Sequence, residues 1–161
     1  MKKLQMFFMI TIIGGLLLAG CSQGAPSAVE PELTTTQMVD EMLSKVEQPM
    51  MMELTDNQVK DIYNIDLEDL EDYAIRIPMM NIKTNEIAIL KVKDSSKVSA
   101  VEEAVKQRAE SVQKQFETYL PDQYENAKNY NLVTKGNYIL FVISEQSDEL
   151  IEIYDSFFNQ Q

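Results

Sequence analysis

The chain has 161 residues, with 26 acidic against 14 basic side chains and a formal charge of −12, and it contains no histidine, no tryptophan and a single cysteine, Cys21. The missing histidine and the lack of a Gly-rich phosphate loop remove the usual groups of most hydrolase, redox and nucleotide chemistries, so no catalytic residue, cofactor or metal is assigned. So acidic a surface repels phosphate backbones and anionic headgroups, which excludes nucleic acid as a partner.

Lys2 and Lys3 open the chain, an apolar run from Met6 to Leu18 follows, and no charge intervenes before Cys21. That order of charged, apolar and small residues is the pattern of a secretory leader. As a membrane span it is poor, because about 16 uncharged residues fall short of the ~20 a helix needs to cross, and Gly14-Gly15 weakens its middle. Leu18-Ala19-Gly20-Cys21 resembles the lipobox of bacterial lipoproteins, which implies a diacylglyceryl thioether on Cys21 and removal of residues 1–20. A sulfur held in a thioether cannot serve as nucleophile, metal ligand or disulfide partner, so lipidation accounts for the odd cysteine. Two or more acyl chains hold a protein on a membrane where one does not. The expected location is therefore the extracytoplasmic face of the cell membrane, anchored by lipid on Cys21.

Cleavage before Cys21 removes two lysines and no acid, moving the formal charge to −14. Ser22 to Glu32 is short, small, polar and Pro-interrupted, and residues 21–32 read as a lipidated cysteine and flexible tether spanning on the order of 20 Å. Residues 33–161 then form one domain with enough chain for a core of its own.

Thr34 to Gln48 places Val39, Met42, Leu43 and Val46 at helical spacing and stops at Pro49. Thr55-Asp56-Asn57-Gln58 is a capping box for a second, short helix, with Leu54 and Val59 as its hydrophobic staple and an end by Asn64. Tyr73 to Met79 alternates with period two and reads as a strand, which Pro78 pushes toward an edge or a strand end. Glu86 to Lys93 is a second strand, joined to the first through Asn81 to Asn85 as a hairpin. Ser96 or Ser99 is expected to cap a long helix with Val98, Val101, Val105, Val112, Phe116 and Tyr119 as its apolar stripe, ending near Leu120-Pro121. A short helical piece around Gln123 to Asn129 leads to a second hairpin, Leu132–Thr134 and Tyr138–Ile143, turning at Gly136. Tyr138 to Ile143 is apolar on both faces, as a central strand covered twice would be. Ser147 is expected to cap a last helix whose Leu150, Ile151, Ile153, Tyr154, Phe157 and Phe158 face inward.

The order amounts to an α+β fold: two ββα units with a small, mainly antiparallel sheet packed by helices, preceded by two N-terminal helices. The two hairpins can join into one four-stranded sheet, with the long and C-terminal helices on one face and the N-terminal pair elsewhere.

Four groups of side chains invite a chemical reading. Asp66, Glu68, Asp69, Glu71 and Asp72 are dense enough for calcium, yet the spacing fails as an EF-hand, and the plain alternative is a solvated turn with Leu67 and Leu70 facing inward. Met50-Met51-Met52 and Met79-Met80 offer thioethers to Cu(I), against a role as flexible packing residues. Arg76, with Lys83, Lys91 and Lys93, makes either a basic patch for an anion or a set of partners for neighbouring carboxylates. Paired carboxylates in a cleft would suffice for glycosidase-type work, although with 26 acids proximity in sequence selects none.

Tyr119-Leu120-Pro121-Asp122-Gln123-Tyr124 reads either as a recognition lip or as a helix break with its tyrosines on the core. Together with the lipobox leader, Glu86-Ile87-Ala88-Ile89 and Thr134-Lys135-Gly136-Asn137-Tyr138, it resembles a domain-of-unknown-function family of small lipoproteins from low-GC Gram-positive bacteria, from about Val39 onward. The resemblance implies an extracytoplasmic protein and assigns no catalytic residues. Anchor, tether and missing catalytic groups together point to a non-catalytic binding or protein-interaction module in the cell envelope, with an envelope protein as partner. The alternative is a small carboxylate-dependent cell-wall enzyme. A solute receptor for an importer fits less well, since such receptors close two lobes around a ligand and this chain makes one domain.

Overall fold

The computed structural model describes residues 30–159. The leader, Cys21 and most of the tether lie outside the described residues. At their beginning, Glu30 already touches the domain: its carboxylate accepts from Lys91 Nζ at 3.1 Å and from the Tyr138 hydroxyl at 3.4 Å.

Helix α1 (Thr35–Lys45) begins where Thr34 and Gln37 cap each other, Gln37 N donating to Thr34 Oγ1 at 3.2 Å and Thr34 N to Gln37 Oε1 at 2.9 Å. Strand β1 (Met51–Glu53) follows, then α2 (Asp56–Tyr63), where Thr55 N donates to Gln58 Oε1 at 2.9 Å and Leu54 and Val59 are buried in one cluster as the staple requires. Asn64 ends α2 at φ 54°, a left-handed position that asparagine tolerates. Strands β2 (Leu70–Pro78) and β3 (Glu86–Val92) form the first hairpin. After α3 (Val98–Phe116) and α4 (Pro121–Lys128), β4 (Asn131–Lys135) and β5 (Tyr138–Ile143) form the second, and α5 (Ser147–Ser156) closes the chain. The β4–β5 turn has two residues, and Gly136, the first, takes φ 58°, where a side chain would clash.

The sheet has five strands, not four, in the order β1-β2-β3-β5-β4, and all neighbours are antiparallel. The fifth is β1, hidden in a methionine run too short and too uniform to show alternation; it pairs Met51 with Pro78 and Met52 with Ile77. Pro78 marks a strand end, since β2 has a partner on each side. The hairpins join through β3 and β5, from Glu86 opposite Ile143 to Lys91 opposite Tyr138.

Both faces are covered, and this separates the two large helices that the sequence places together. Ala88, Leu90, Ile139, Phe141 and Ile143 point to a cluster with Val59 and Tyr63 of α2, Val105 and Val112 of α3 and Ala127 of α4. Ile87, Ile89, Tyr138, Leu140 and Val142 point the other way, to Met38 and Met42 of α1 and Leu150 and Tyr154 of α5. The long helix and the C-terminal helix therefore lie on opposite faces, because adjacent residues of β3 and β5 are all apolar and each face needs its own cover.

Three local expectations are corrected. Ser96 and Ser99 do not cap α3: a 3₁₀ turn (Ser95–Lys97), capped by Asp94 accepting from Ser96 N at 2.9 Å, runs directly into it. Ser147 is the first residue of α5 and not its cap, the preceding Gln146 N being held by Ser144 Oγ at 3.0 Å. Tyr119 leaves the apolar stripe, because α3 stops at Phe116 and the ring stands 59% exposed, while Ala109 completes the stripe.

Leu140 is fully buried at the centre of the sheet, so Leu140→Ala is expected to cost about 2–5 kcal/mol, whereas the exposed Met50→Ala should stay within about 0.5 kcal/mol. Urea unfolding of both variants checks this.

Candidate functional site

Glu86 opens β3 on the same face as Ala88 and Leu90, and that alternation drives a carboxylate under α3, where it is 1% exposed. Opposite it, Arg108 flanks the α3 stripe, next to the buried Ala109 that lies between Val105 and Val112. Arg108 Nη2 donates to Glu86 Oε2 at 2.8 Å, and Nε reaches both carboxylate oxygens at 3.1 and 3.2 Å. The Tyr63 hydroxyl, at the end of α2, donates to Glu86 Oε1, and the Arg108 guanidinium lies 5.9 Å from the Tyr63 ring centre. Burial pushes the Tyr63 phenol well above its ordinary value, and the Glu86 charge adds to this. Burial also works against the Arg108 charge, but the Glu86 carboxylate outweighs it and holds the guanidinium above its ordinary range.

Glu86 and Arg108 of this network form the floor of a groove of about 220 Å³ between α3 and the β2–β3 loop, with Tyr63 buried behind them. The loop is held from below by α4: Thr84 N donates to Gln123 Oε1 at 3.0 Å, Thr84 Oγ1 to the Gln123 carbonyl at 3.2 Å, and Asn126 Nδ2 to Thr84 Oγ1 at 3.1 Å, all buried. Asn85 Nδ2 ties the same loop to Gln48 and Glu145 at 3.1 Å each. The walls are apolar, with Ile77, Pro78 and Met79 on one side and Val112 and Phe116 on the other.

Six large hydrophobic side chains stand exposed among the described residues: Met50, Met52, Met79, Met80, Ile82 and Tyr119. Two of them line this groove, and the other four are neighbours of its lining residues in sequence, by strand pairing or by ring contact. Met79 and Met80 line it, and Ile82 lies in its loop between the lining residues Asn81 and Lys83. The Met50 carbonyl accepts from Met79 N at 2.9 Å, Met52 pairs with Ile77, and Tyr119 follows Phe116 with ring centres 6.4 Å apart. The β1–β2 pairing thus brings together the two methionine runs, while Met51 turns to the opposite face and packs with the α1 cluster.

Residues 44–144 match a family described as a domain of unknown function, DUF4358. The chain belongs to this family. No curated protein and no solved structure matches it. The part of this DUF4358 protein that matches holds all five strands, the groove floor of Glu86 and Arg108, and Tyr63 behind it, while most of α1 and all of α5 lie outside it.

The remaining sequence candidates are dispersed in the DUF4358 fold. Asp66 caps the 3₁₀ turn Leu67–Asp69, Asp69 pairs with Lys97 at 3.3 Å, Glu71 with Lys91 at 2.8 Å, and Asp72 accepts from Thr35 N at 2.9 Å. No group of three acids able to hold a metal occurs among the described residues. Arg76 lies between Asp40 at 3.3 Å and Glu53 at 3.2 Å on the α1 face, whereas Lys83 lies at the groove on the other, so the hairpin carries no single basic patch. Glu86 is the one carboxylate of the groove among the described residues. A shallower depression between α1 and α5 gathers two, Glu149 and Glu152, both exposed and neighbours on one helix.

The buried network went unread in the sequence, although two signals mark it. Glu86 stands where strand alternation requires an inward residue, and Arg108 lies directly beside the buried series Val101, Val105, Ala109, Val112. Either charge alone reads as a boundary or a surface residue; only their meeting between α3 and the sheet makes them a pair.

Arg108→Met strands a buried carboxylate and is expected to cost about 3–5 kcal/mol, read by urea unfolding. The phenols of Tyr63 and Tyr154 are both raised, chiefly by burial. Stability is therefore full below the ordinary tyrosine value of about 10 and falls above it, where the unfolded chain loses protons that the fold retains. Unfolding midpoints between about pH 8 and about pH 11 should show this decline, and Tyr63→Phe should flatten it.

Proposed function

We propose that this DUF4358 protein is a non-catalytic interaction lipoprotein of the bacterial cell envelope, of the kind carried by low-GC Gram-positive bacteria. Lipid on Cys21 anchors it at the extracytoplasmic face of the cell membrane, and the groove between α3 and the β2–β3 loop receives an apolar segment of an envelope protein. The observation that carries this reading is a groove lined by the exposed Met79 and Met80, with the other exposed large hydrophobic side chains next to its lining residues. Exposed apolar side chains scattered singly mean little, but a contiguous set rimming a concave surface marks an interaction site. Methionine suits such a rim, because its unbranched, polarizable chain adapts to different partner shapes at small cost.

The chemistry of the floor supports binding over catalysis. A general acid or nucleophile must reach a substrate, whereas Glu86 is 1% exposed and its oxygens are taken up by Arg108 and Tyr63. Glycosidase-type work needs a second carboxylate across the cleft, and the groove lining holds none among the described residues.

Crosslinking of intact envelopes tests both parts of the proposal. The full chain should fractionate with membranes, incorporate labelled palmitate and yield a discrete crosslinked species. Cys21→Ser should lose the label and leave the membrane fraction, and Met79→Ser/Met80→Ser should stay on the membrane but lose the crosslink. A crosslink that survives the methionine changes, or a palmitate-free chain that remains on membranes, overturns the corresponding part.

A further inference from the structure

The groove carries a charge opposite to that of the protein. In a chain of formal charge −12, its lining holds two cations, Lys83 and Arg108, and one carboxylate, Glu86. That carboxylate is already neutralised. Arg108 spends Nε and Nη2 on it, and Nη1 forms no hydrogen bond to any described residue. Its side chain is 16% exposed, on the groove side of a pair whose other member is sealed. Lys83 is half-buried and forms no ion pair with any described residue. Lys91 and Arg76, two other cations of the same hairpin, each have two carboxylate partners. Lys83 shares its unpaired state with other lysines of the surface, but of these cations it alone lines the groove, beside a guanidinium that keeps a donor free.

We infer that the groove recognises a carboxylate borne on a short apolar group, with Arg108 Nη1 and the Lys83 ammonium on the carboxylate and Ile77, Met79, Val112 and Phe116 around the apolar part. This rests on the interaction reading above and specifies its ligand. Charge complementarity selects the anion, since an uncharged ligand leaves both cations as they are. Arginine suits this role, because a guanidinium oriented by one carboxylate is already fixed when a second arrives and little freedom is lost on binding. Glu86 thus acts as a positioning residue for Arg108 and touches no ligand. A volume of about 220 Å³ suits one apolar residue with its terminal carboxylate and is too small for a folded element. The occupant is the C-terminus of a polypeptide, as the interaction reading requires, and a free short-chain acid is an outcome the test separates from it.

Calorimetric titration of the full chain in detergent, with three probes, tests the inference. Acetyl-Ala-Leu with a free carboxylate is expected to bind at least tenfold more tightly than its C-terminal amide. 4-Methylpentanoate, which has the apolar group and carboxylate but no peptide groups, is expected to bind more weakly than the peptide acid, and equal binding overturns the chain terminus as occupant in favour of a free acid. Lys83→Gln, a change at a half-exposed loop position, should weaken the free peptide acid about three- to tenfold and leave the amide unchanged. Equal affinity of acid and amide overturns the inference, and so does absence of binding by all three probes. Either result leaves the envelope crosslink as a separate measure of whether the groove is an interaction surface at all.

Discussion

Tyr138 to Ile143 is a strand without a solvent face. Its six residues are all buried, and alternate ones point into two different clusters. A strand of this kind is stable only when helices cover both faces of the sheet, because one bare face would leave three large side chains in water, at about 1.5–3 kcal/mol for each. The rest of the architecture follows from that demand. Paired with β5 on one side, β3 is likewise apolar along most of its length, and the two together set a central band that needs α2, α3 and α4 on one face and α1 and α5 on the other.

At one end of this band the covering stops being apolar. Glu86 stands at the start of β3, where the strand emerges from the loop, and Arg108 and Tyr63 close over it from two helices. Desolvating an ion pair offsets most of its attraction, so such a pair is weak support for stability and strong support for one particular geometry. Here it fixes how α2 and α3 sit on the sheet and holds a guanidinium at the bottom of a groove. The Thr84, Gln123 and Asn126 contacts do the same for the far wall. A preformed groove with ordered walls loses little on binding a ligand. Adjustment is confined to the rim, where the thioethers of Met79 and Met80 can change rotamer.

Much of the fold is legible in local chemistry. The capping box at Thr55, the staple of Leu54 with Val59, the glycine turn at Gly136 and the doubly apolar run of β5 each act within a few residues, and each is where local rules put it. Failures fall where a local rule had two adequate candidates. Asp94 and the serines after it can all cap a helix, and the inserted 3₁₀ turn gives the role to the aspartate. Strand β1 is three residues long, and pairing with β2, not propensity, makes it a strand. The groove was legible only as separate features: a charged residue in an inward strand position, another flanking a helix stripe, and two methionine runs far apart in sequence.

By itself the sequence determined the α+β class, the identity and approximate bounds of most elements, the acidic character of the surface and the lack of histidine chemistry, because these depend on composition and on contacts within about one turn or one hairpin. Tertiary structure alone decided the five-strand order, the division of the large helices between two faces, the pairing of Glu86 with Arg108 and the meeting of the methionine runs at one rim. A strand apolar on both sides carries no alternation to say which face meets which helix, and a lone charge carries no sign of the partner that buries it. Those facts arise only when segments distant in the chain come into contact.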